Sequence, residues 1–515
     1  MVHGIIITDN AFLESDVGIS RSTGAHRIAS HLRQQGYRIE VVDFCLRWSV
    51  PQLILLCERL VDDQTVFLGV GSNLFTMDQK VQDFLQAFRD RWPSIRLILG
   101  GNNLLSQDVS KFDYLIEGYA ESAMPALLDW LQGRTDQAPQ FSNISDTVPL
   151  IDAVRDYGHY NTADLTIEYL ASDFVSPHES LSIETGRGCV FRCAFCTYPL
   201  LGKKKFDYMR DPDTIVAELE RNYQQWGTRL YIISEDTFND RIEKLEILAA
   251  AIDRLQFQPQ FVTYARADLI FARPESMDLM RRIGIRGVHF GIETFTRPAG
   301  RLIGKGHDPK VMMENLLEWK KRMPEVQTHC SMIMGLPGDE PAQHQDYRDW
   351  FERSGIEFYK WSPLWITNTD KTLHVSEFSR SYRLHGLVPM TDEEIEYEIA
   401  VNHEQGIYAV TWERKLDAKH VNKIVYWKNV RTGYNYFKAL RDSMSLNNQS
   451  RWRKVSPWSM FQWAGLGYEL DEMQHWGWHD VRPHVPEQQM RERAHSIISA
   501  YIDKKLAFDY SQVYN

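Results

Sequence analysis

The chain has 515 residues, of which 43% are hydrophobic and 25% charged, the balance of a folded, water-soluble protein rather than a disordered one. At about 100–200 residues per domain, this length implies about three domains. Lys and Arg number 58 against 69 Asp and Glu, a net charge of −11 that argues against a broadly basic nucleic-acid surface.

Residues 1–135 alternate short apolar strands with amphipathic helices. Strands are expected at Gly4–Thr8, Tyr37–Phe44, Val66–Gly71, Ile95–Gly101 and Tyr114–Gly118, with helices near Thr23–Gln35, Pro51–Val61, Asp78–Arg91 and Glu121–Leu131. This is the α/β pattern of a flavodoxin-like, doubly wound parallel sheet. Ligands of such sheets sit beyond the carboxyl ends of the strands, where this chain places Gly69-Val70-Gly71-Ser72, Gly100-Gly101-Asn102 and Gly118. These glycines suit tight turns as well as a ligand cradle. The third glycine of a dinucleotide fingerprint is missing, so NAD is not expected.

From 136 to 177 periodicity fades and turn residues accumulate, as in an interdomain linker. Alternation resumes over 178–365, with strands near Leu181–Thr185, Leu230–Ser234, Gln260–Tyr264, Arg286–Gly291, Gln327–Met334 and Glu357–Trp361. Six strand–helix units make a partial (β/α) barrel of TIM type, whose chemistry belongs at the carboxyl ends of its strands. Residues 366–515 read as a mainly helical, substrate-facing region; nine of the fifteen tryptophans lie beyond residue 360, among them Trp452, Trp458, Trp463, Trp476 and Trp478. That density suits core packing or a recognition surface for a small molecule, a peptide or a nucleobase. His475, His479 and His484 in this region belong to no recognisable motif.

Six cysteines in so long a chain exclude the small disulfide-stapled class. Met1 to Asn10 has no basic leader and no apolar run reaches eighteen residues, so the expected setting is cytoplasmic, reducing and without a membrane partner. Cys189, Cys193 and Cys196 fall within eight residues, on a loop opened by Gly186-Arg187-Gly188 after the first barrel strand. No fourth Cys or suitably spaced His completes a structural zinc site. Three thiolates would leave one iron open in a four-iron, four-sulfur cluster. Three unrelated buried thiols are the alternative.

The run Gly-Cys-x-x-x-Cys-x-Phe-Cys, with Phe195 before the third cysteine, resembles the signature of the radical SAM superfamily. The resemblance implies a 4Fe-4S cluster on Cys189, Cys193 and Cys196. Its open iron would chelate the amino and carboxylate groups of S-adenosylmethionine, which is then cleaved reductively. It also implies roles on successive strand ends. Glu235 or Asp236 would receive the ammonium by charge-assisted hydrogen bonding. Arg266 would pair with the carboxylate, Glu293 would accept from the ribose hydroxyls, and the turn at Met334, Gly335 and Leu336 would bracket adenine. An electron donor such as flavodoxin or ferredoxin is the implied partner.

An α/β domain followed by such a barrel resembles the cobalamin-binding subclass of that superfamily, with Gly69, Gly71, Ser72, Gly100, Gly101 and Gly118 where the subclass cradles the corrin. No Asp-x-His-x-x-Gly offers a lower cobalt ligand, and Gly118-Tyr119-Ala120-Glu121 stands where Gly-Glu-Gly-Glu is usual, so Tyr119 crowds the expected pocket. The implied reaction is cobalamin-dependent methyl transfer to an unactivated carbon, with ring contraction or cyclisation as alternatives in the same architecture. A first domain that binds nothing is the plainer reading. Methylthiotransferases carry three cysteines in the first domain; here only Cys45 and Cys57 occur, in apolar settings, and Cys330 lies within the fifth barrel strand. A non-catalytic iron–sulfur protein that binds RNA through Arg451, Arg453, Lys454 and Lys203-Lys204-Lys205 is a reading of another class, opposed by the acidic total.

Overall fold

The computed structural model describes the chain except residues 1, 11–17, 73–76, 103, 105–107, 143–147, 159, 197–207, 370–374, 406–423, 448–455, 476–485 and 515. Two parallel six-stranded sheets organise it. The first runs β2-β1-β3-β4-β5-β6, with β1 Gly4–Thr8, β2 Ile39–Val42, β3 Phe67–Gly71, β4 Arg96–Gly101, β5 Tyr114–Glu117 and β6 Leu150–Asp152. Five of these lie where the alternation places them. The second is shorter than expected because Phe44 turns left-handed, at φ 58°, into the 3-10 turn Cys45–Arg47. The sixth corrects the linker reading of 136–177: Leu150 and Ile151 are fully buried and pair with Leu115 and Ile116. Three residues after Pro149 are too few to show a period of two.

The second sheet runs in sequence order as an open barrel: β7 Leu181–Ile183, β8 Leu230–Ile233, β9 Gln260–Ala265, β10 Ile285–Glu293, β11 Gln327–Met334 and β12 Phe358–Pro363. Alternation sorts each strand into two faces. Val288, Phe290 and Ile292 are buried in the helical layer, where Phe290 meets Trp319 edge-on, leaving His289, Gly291 and Glu293 for the lumen. The helix Pro212–Trp226 shows why the helices form where they do. Asp211 caps it, Pro212 suits its first turn, and Gly227 at φ 71° ends it.

The region 366–515 is divided between two cores. Phe378, Leu387, Trp427, Phe437 and Leu446 belong to the barrel core, and a short antiparallel pair, β13 Leu387–Pro389 and β14 Trp427–Asn429, extends from it. Met460, Phe461, Trp463, Met490, Ile498 and Tyr501 belong instead to the core of the first sheet. The helix Glu487–Ala507 is locked there by Lys505, which pairs with the buried Glu40 and lies 3.7 Å from Asp173, while Tyr501 accepts from the Asp43 amide at 3.1 Å. His26, Asp43 and Asp173 converge at this seam, but Arg21 at 2.7 Å from Asp43 and Lys505 already supply its positive charge. Among the described residues no helix is long and apolar enough to cross a membrane.

Candidate functional site

The cysteine loop leaves β7 through Gly186, whose absent Cβ would sit 3.2 Å from the Tyr208 carbonyl oxygen, and through Gly188 at φ 76°. It is pinned at its middle: the Ala194 amide donates to Ile303 and the Phe378 amide donates to Ala194, at 3.2 and 2.8 Å. Cys189, Cys193 and Cys196 are half-buried, whereas Cys45, Cys57 and Cys330 are buried. Burial pushes the thiols of Cys57 and Cys330 far above the usual range. It raises Cys189 too, with the Thr237 hydroxyl at 3.2 Å and the Phe191 amide at 3.5 Å opposing it. Three half-buried free thiols on one loop are one ligand short of a closed zinc site and fit three corners of a four-iron cluster.

Strand alternation separates the two acids after β8. Glu235 turns outward and is buried between the Thr185 hydroxyl and the Lys244 ammonium. Asp236 falls on the other face, half-buried, and its charge reaches both the Cys189 thiol and the Tyr119 phenol. Arg266, after β9, is oriented by Asp268 through two hydrogen bonds of 3.0 and 2.8 Å. Its guanidinium lies 4.0 Å from the Phe191 ring centre, and Nη1 points at Cys193 Sγ from 3.6 Å. Glu293 ends β10 at φ 70°, an uncommon conformation for a non-glycine residue and one that concentrates at functional sites. Lys305 holds it there, donating to Glu293 Oε1 at 2.9 Å and to the Gly291 carbonyl at 2.7 Å, with its Nζ 5.9 Å from the Phe195 ring centre. Gly335, following Met334 and before Leu336, stands at φ 92°, and its Cβ would lie 2.4 Å from the Trp427 ring.

On the facing domain, Gly71 pairs with Gly100 and Gly101 with Glu117, bringing three strand ends together. Gly101 at φ 145° and Gly118 at φ 98° need glycine. A Cβ on Gly100 would find only the Ile116 carbonyl, at 4.0 Å. The Ser72 amide donates to Gly100 and that of Gly118 to Gly101. The result is a strip of backbone without side chains, a fit for a broad flat ring such as a corrin. Gly69 and Gly71 both belong to β3, and a Cβ on either would meet packed neighbours, Phe67 and Ile6 at 3.4 and 3.5 Å for Gly69, Thr8 and Ala25 at 3.2 and 3.4 Å for Gly71.

Between strip and cysteines lies an ion network not anticipated from sequence. Arg27 and Arg187 each bond Glu121 and Glu184, at distances from 2.7 to 3.1 Å, and the Tyr119 ring lies under both guanidiniums, 5.5 and 4.3 Å away. Tyr119 thus packs into the joint between domains. Arg187 sits within the Gly-Arg-Gly run, which was the one signal available. The Thr23 and Ser234 hydroxyls, 3.5 Å apart, join the two mouths again. Lys203-Lys204-Lys205, Arg451, Trp452, Arg453, Lys454, Trp476, Trp478, His479 and His484 lie outside the described residues, as does the side chain of His475.

Residues 183–351 match the model of the radical SAM superfamily. The hopanoid C-2 methylase of Rhodopseudomonas palustris is 28% identical over 183 residues, which is 34% of this chain and 33% of that protein. The chain therefore matches only about a third of that relative's length. The methyltransferase TsrM of Kitasatospora setae, solved with tryptophan and a SAM analogue, shares the fold at TM-score 0.56 and 16% identity, over 76% of this chain and 79% of that one. The cobalamin-dependent S-adenosylmethionine radical enzyme OxsB, solved with aqua-cobalamin and S-adenosylmethionine, shares it at TM-score 0.56 and 13% identity, over 98% of this chain and 72% of that one.

Proposed function

We propose, from the match of residues 183–351 to the radical SAM superfamily, that the chain cleaves S-adenosylmethionine reductively and, with cobalamin in its first domain, transfers a methyl group to an unactivated carbon. One observation carries the reading: three half-buried cysteines at the barrel mouth confront a side-chain-free strip of the first sheet across the Arg27–Arg187 network. When bound, the cluster and SAM supply the reductive sulfonium cleavage and cobalamin the transferable methyl group.

The chain's own residues position these groups. Cys189, Cys193 and Cys196 would ligate three irons. Asp236, rather than the ion-paired Glu235, would accept from the ammonium. Arg266, oriented by Asp268 beside Cys193, would face the carboxylate, and Glu293, held by Lys305, the ribose. Gly335 lets the turn between Met334 and Leu336 present backbone groups to adenine. Gly71, Ser72, Gly100, Gly101 and Gly118 would lie under the corrin, and Arg187 would tie that domain to the cysteine loop. A reduced flavodoxin or ferredoxin would deliver the electron. The hopanoid C-2 methylase and the folds of TsrM and OxsB support the reading.

Anaerobically reconstituted protein is expected to hold about four irons and to release deoxyadenosine from S-adenosylmethionine when reduced, and Cys193→Ala to lose both. A fully loaded wild type that never releases deoxyadenosine overturns the proposal. Loss of all corrin absorbance on desalting after incubation with hydroxocobalamin would remove cobalamin from it.

A further inference from the structure

Past β8 the chain runs Asp236-Thr237-Phe238-Asn239, and the residues just after Thr237 are clamped to the end of β9. The Phe238 amide donates to the Tyr264 carbonyl at 2.9 Å. The Arg266 amide donates to Asn239 Oδ1 at 2.8 Å, and Asn239 Nδ2 donates back to the Arg266 carbonyl at 2.9 Å. Thr237 is buried beside this clamp, with its hydroxyl 3.2 Å from Cys189 Sγ. The Phe191 amide approaches the same sulfur at 3.5 Å. Cys193 Sγ has a different neighbour, the Arg266 guanidinium at 3.6 Å, whose proposed place is with the SAM carboxylate. Thr237 has no role in holding SAM.

The Thr237 hydroxyl has one hydrogen and two acceptors in reach, Cys189 Sγ and the Asp236 carbonyl oxygen at 2.8 Å. With Cys189 as a neutral thiol, the S–H can donate to Thr237 while Thr237 donates to Asp236. A cluster-bound sulfur is a thiolate and has no hydrogen to give, so the hydroxyl is then the donor of the pair. Hydrogen bonds to an ionised acceptor are about twice as strong as neutral ones, which favours the sulfur over the carbonyl. Burial strengthens such a bond further.

Reduction adds an electron that the cluster shares with its sulfurs. A donor at one sulfur stabilises the added charge, so it raises the reduction potential. Partners behind the ligands tune a metal centre in this way without touching the metal.

We propose that Thr237 is a positioning residue for electron uptake: its hydroxyl donates to the Cys189 thiolate and raises the potential at which the cluster is reduced. The electron comes from the reduced flavodoxin or ferredoxin, and Thr237 keeps its hydrogen throughout. The inference rests on the radical SAM reading, in which Cys189 ligates iron.

Anaerobically reconstituted full chain, without SAM, is titrated with reductant while electron paramagnetic resonance follows the reduced cluster. Thr237→Val, which exchanges the hydroxyl for a methyl group, is expected to make the cluster about tenfold harder to reduce, a midpoint about 59 mV lower for one electron. Thr237→Ser keeps the donor and is expected to match the wild type. Iron content and melting temperature are read on the same samples, and Thr237→Ala takes the place of a Val variant that loses its cluster. A Val midpoint equal to the wild-type value, an equal fall in Thr237→Ser, or Val and Ala variants that both hold no iron overturns the proposal.

The same samples separate this role from the reading beneath it. A wild type that never assembles a four-iron cluster removes both. One that assembles it and cleaves S-adenosylmethionine, yet shows no shift in Thr237→Val, loses only the role of Thr237. One that shows the shift without cleavage loses only the radical chemistry.

Discussion

Replacing Arg187 by Met removes the cation that joins the first domain to the cysteine loop. Arg187 is 2% exposed, bonded to Glu121 at 2.8 Å and Glu184 at 3.1 Å, with its guanidinium over Tyr119. Burial alone would raise the Glu121 carboxyl; Arg187 and then Arg27 outweigh it and bring the group from 4.5 to about 2. At about 1.4 kcal/mol per pH unit, that depression corresponds to about 3 kcal/mol of stability at neutral pH. The order matches the ~3–5 kcal/mol lost when one partner of a buried pair is deleted. Arg27 retains part of it, so Arg187→Met should cost about 3 kcal/mol with Glu184 included. At about 2–4 °C per kcal/mol, the melting temperature falls by about 6–12 °C.

The pH dependence has a definite sign. A depressed carboxyl stabilises the fold above its unfolded value and loses that contribution as pH falls through the folded one. The gap between wild type and variant is therefore widest at pH 7 and narrows as pH falls from about 4.5 towards 2. Scanning fluorimetry across that range measures it. A variant that melts with the wild type at pH 7, or a gap that does not narrow in acid, refutes the reasoning.

Four other substitutions separate binding from scaffolding. Asp236→Asn is expected to weaken S-adenosylmethionine binding about tenfold with little change in melting, whereas Glu235→Gln removes the nearer of the two acids that pair the buried Lys244, leaving Asp240 at 3.6 Å, and lowers the melting temperature; dialysis and fluorimetry on both tell them apart. Gly100→Phe projects a ring from a position with open space before it, so retained corrin absorbance should disappear while melting holds. Gly335→Ala must adopt φ 92° and push into Trp427, and should show lowered melting and altered near-ultraviolet dichroism in the apoprotein.

The strands, the cysteine loop and the glycine-rich strand ends were legible because each depends on a short run of residues. Alternation marks strands of four or more residues, and three cysteines within eight residues need no tertiary knowledge. The choice between Glu235 and Asp236 was left open although the information was present in the period of two. It needed Lys244 and Thr185, nine and fifty residues away, to show that Glu235 is held outward by them. β6 was hidden by its length.

Local pattern alone determined two parallel α/β sheets and one thiol cluster, because periodicity and ligand spacing are properties of neighbouring residues. Tertiary structure decided how residues 366–515 are shared between two cores, how Arg27, Arg187, Glu121 and Glu184 meet, and that His289 and His329 face each other in the lumen. Those contacts join residues up to hundreds of positions apart. They are set by which apolar faces must be covered and which buried charges must be paired, and neither can be read from a window of the chain.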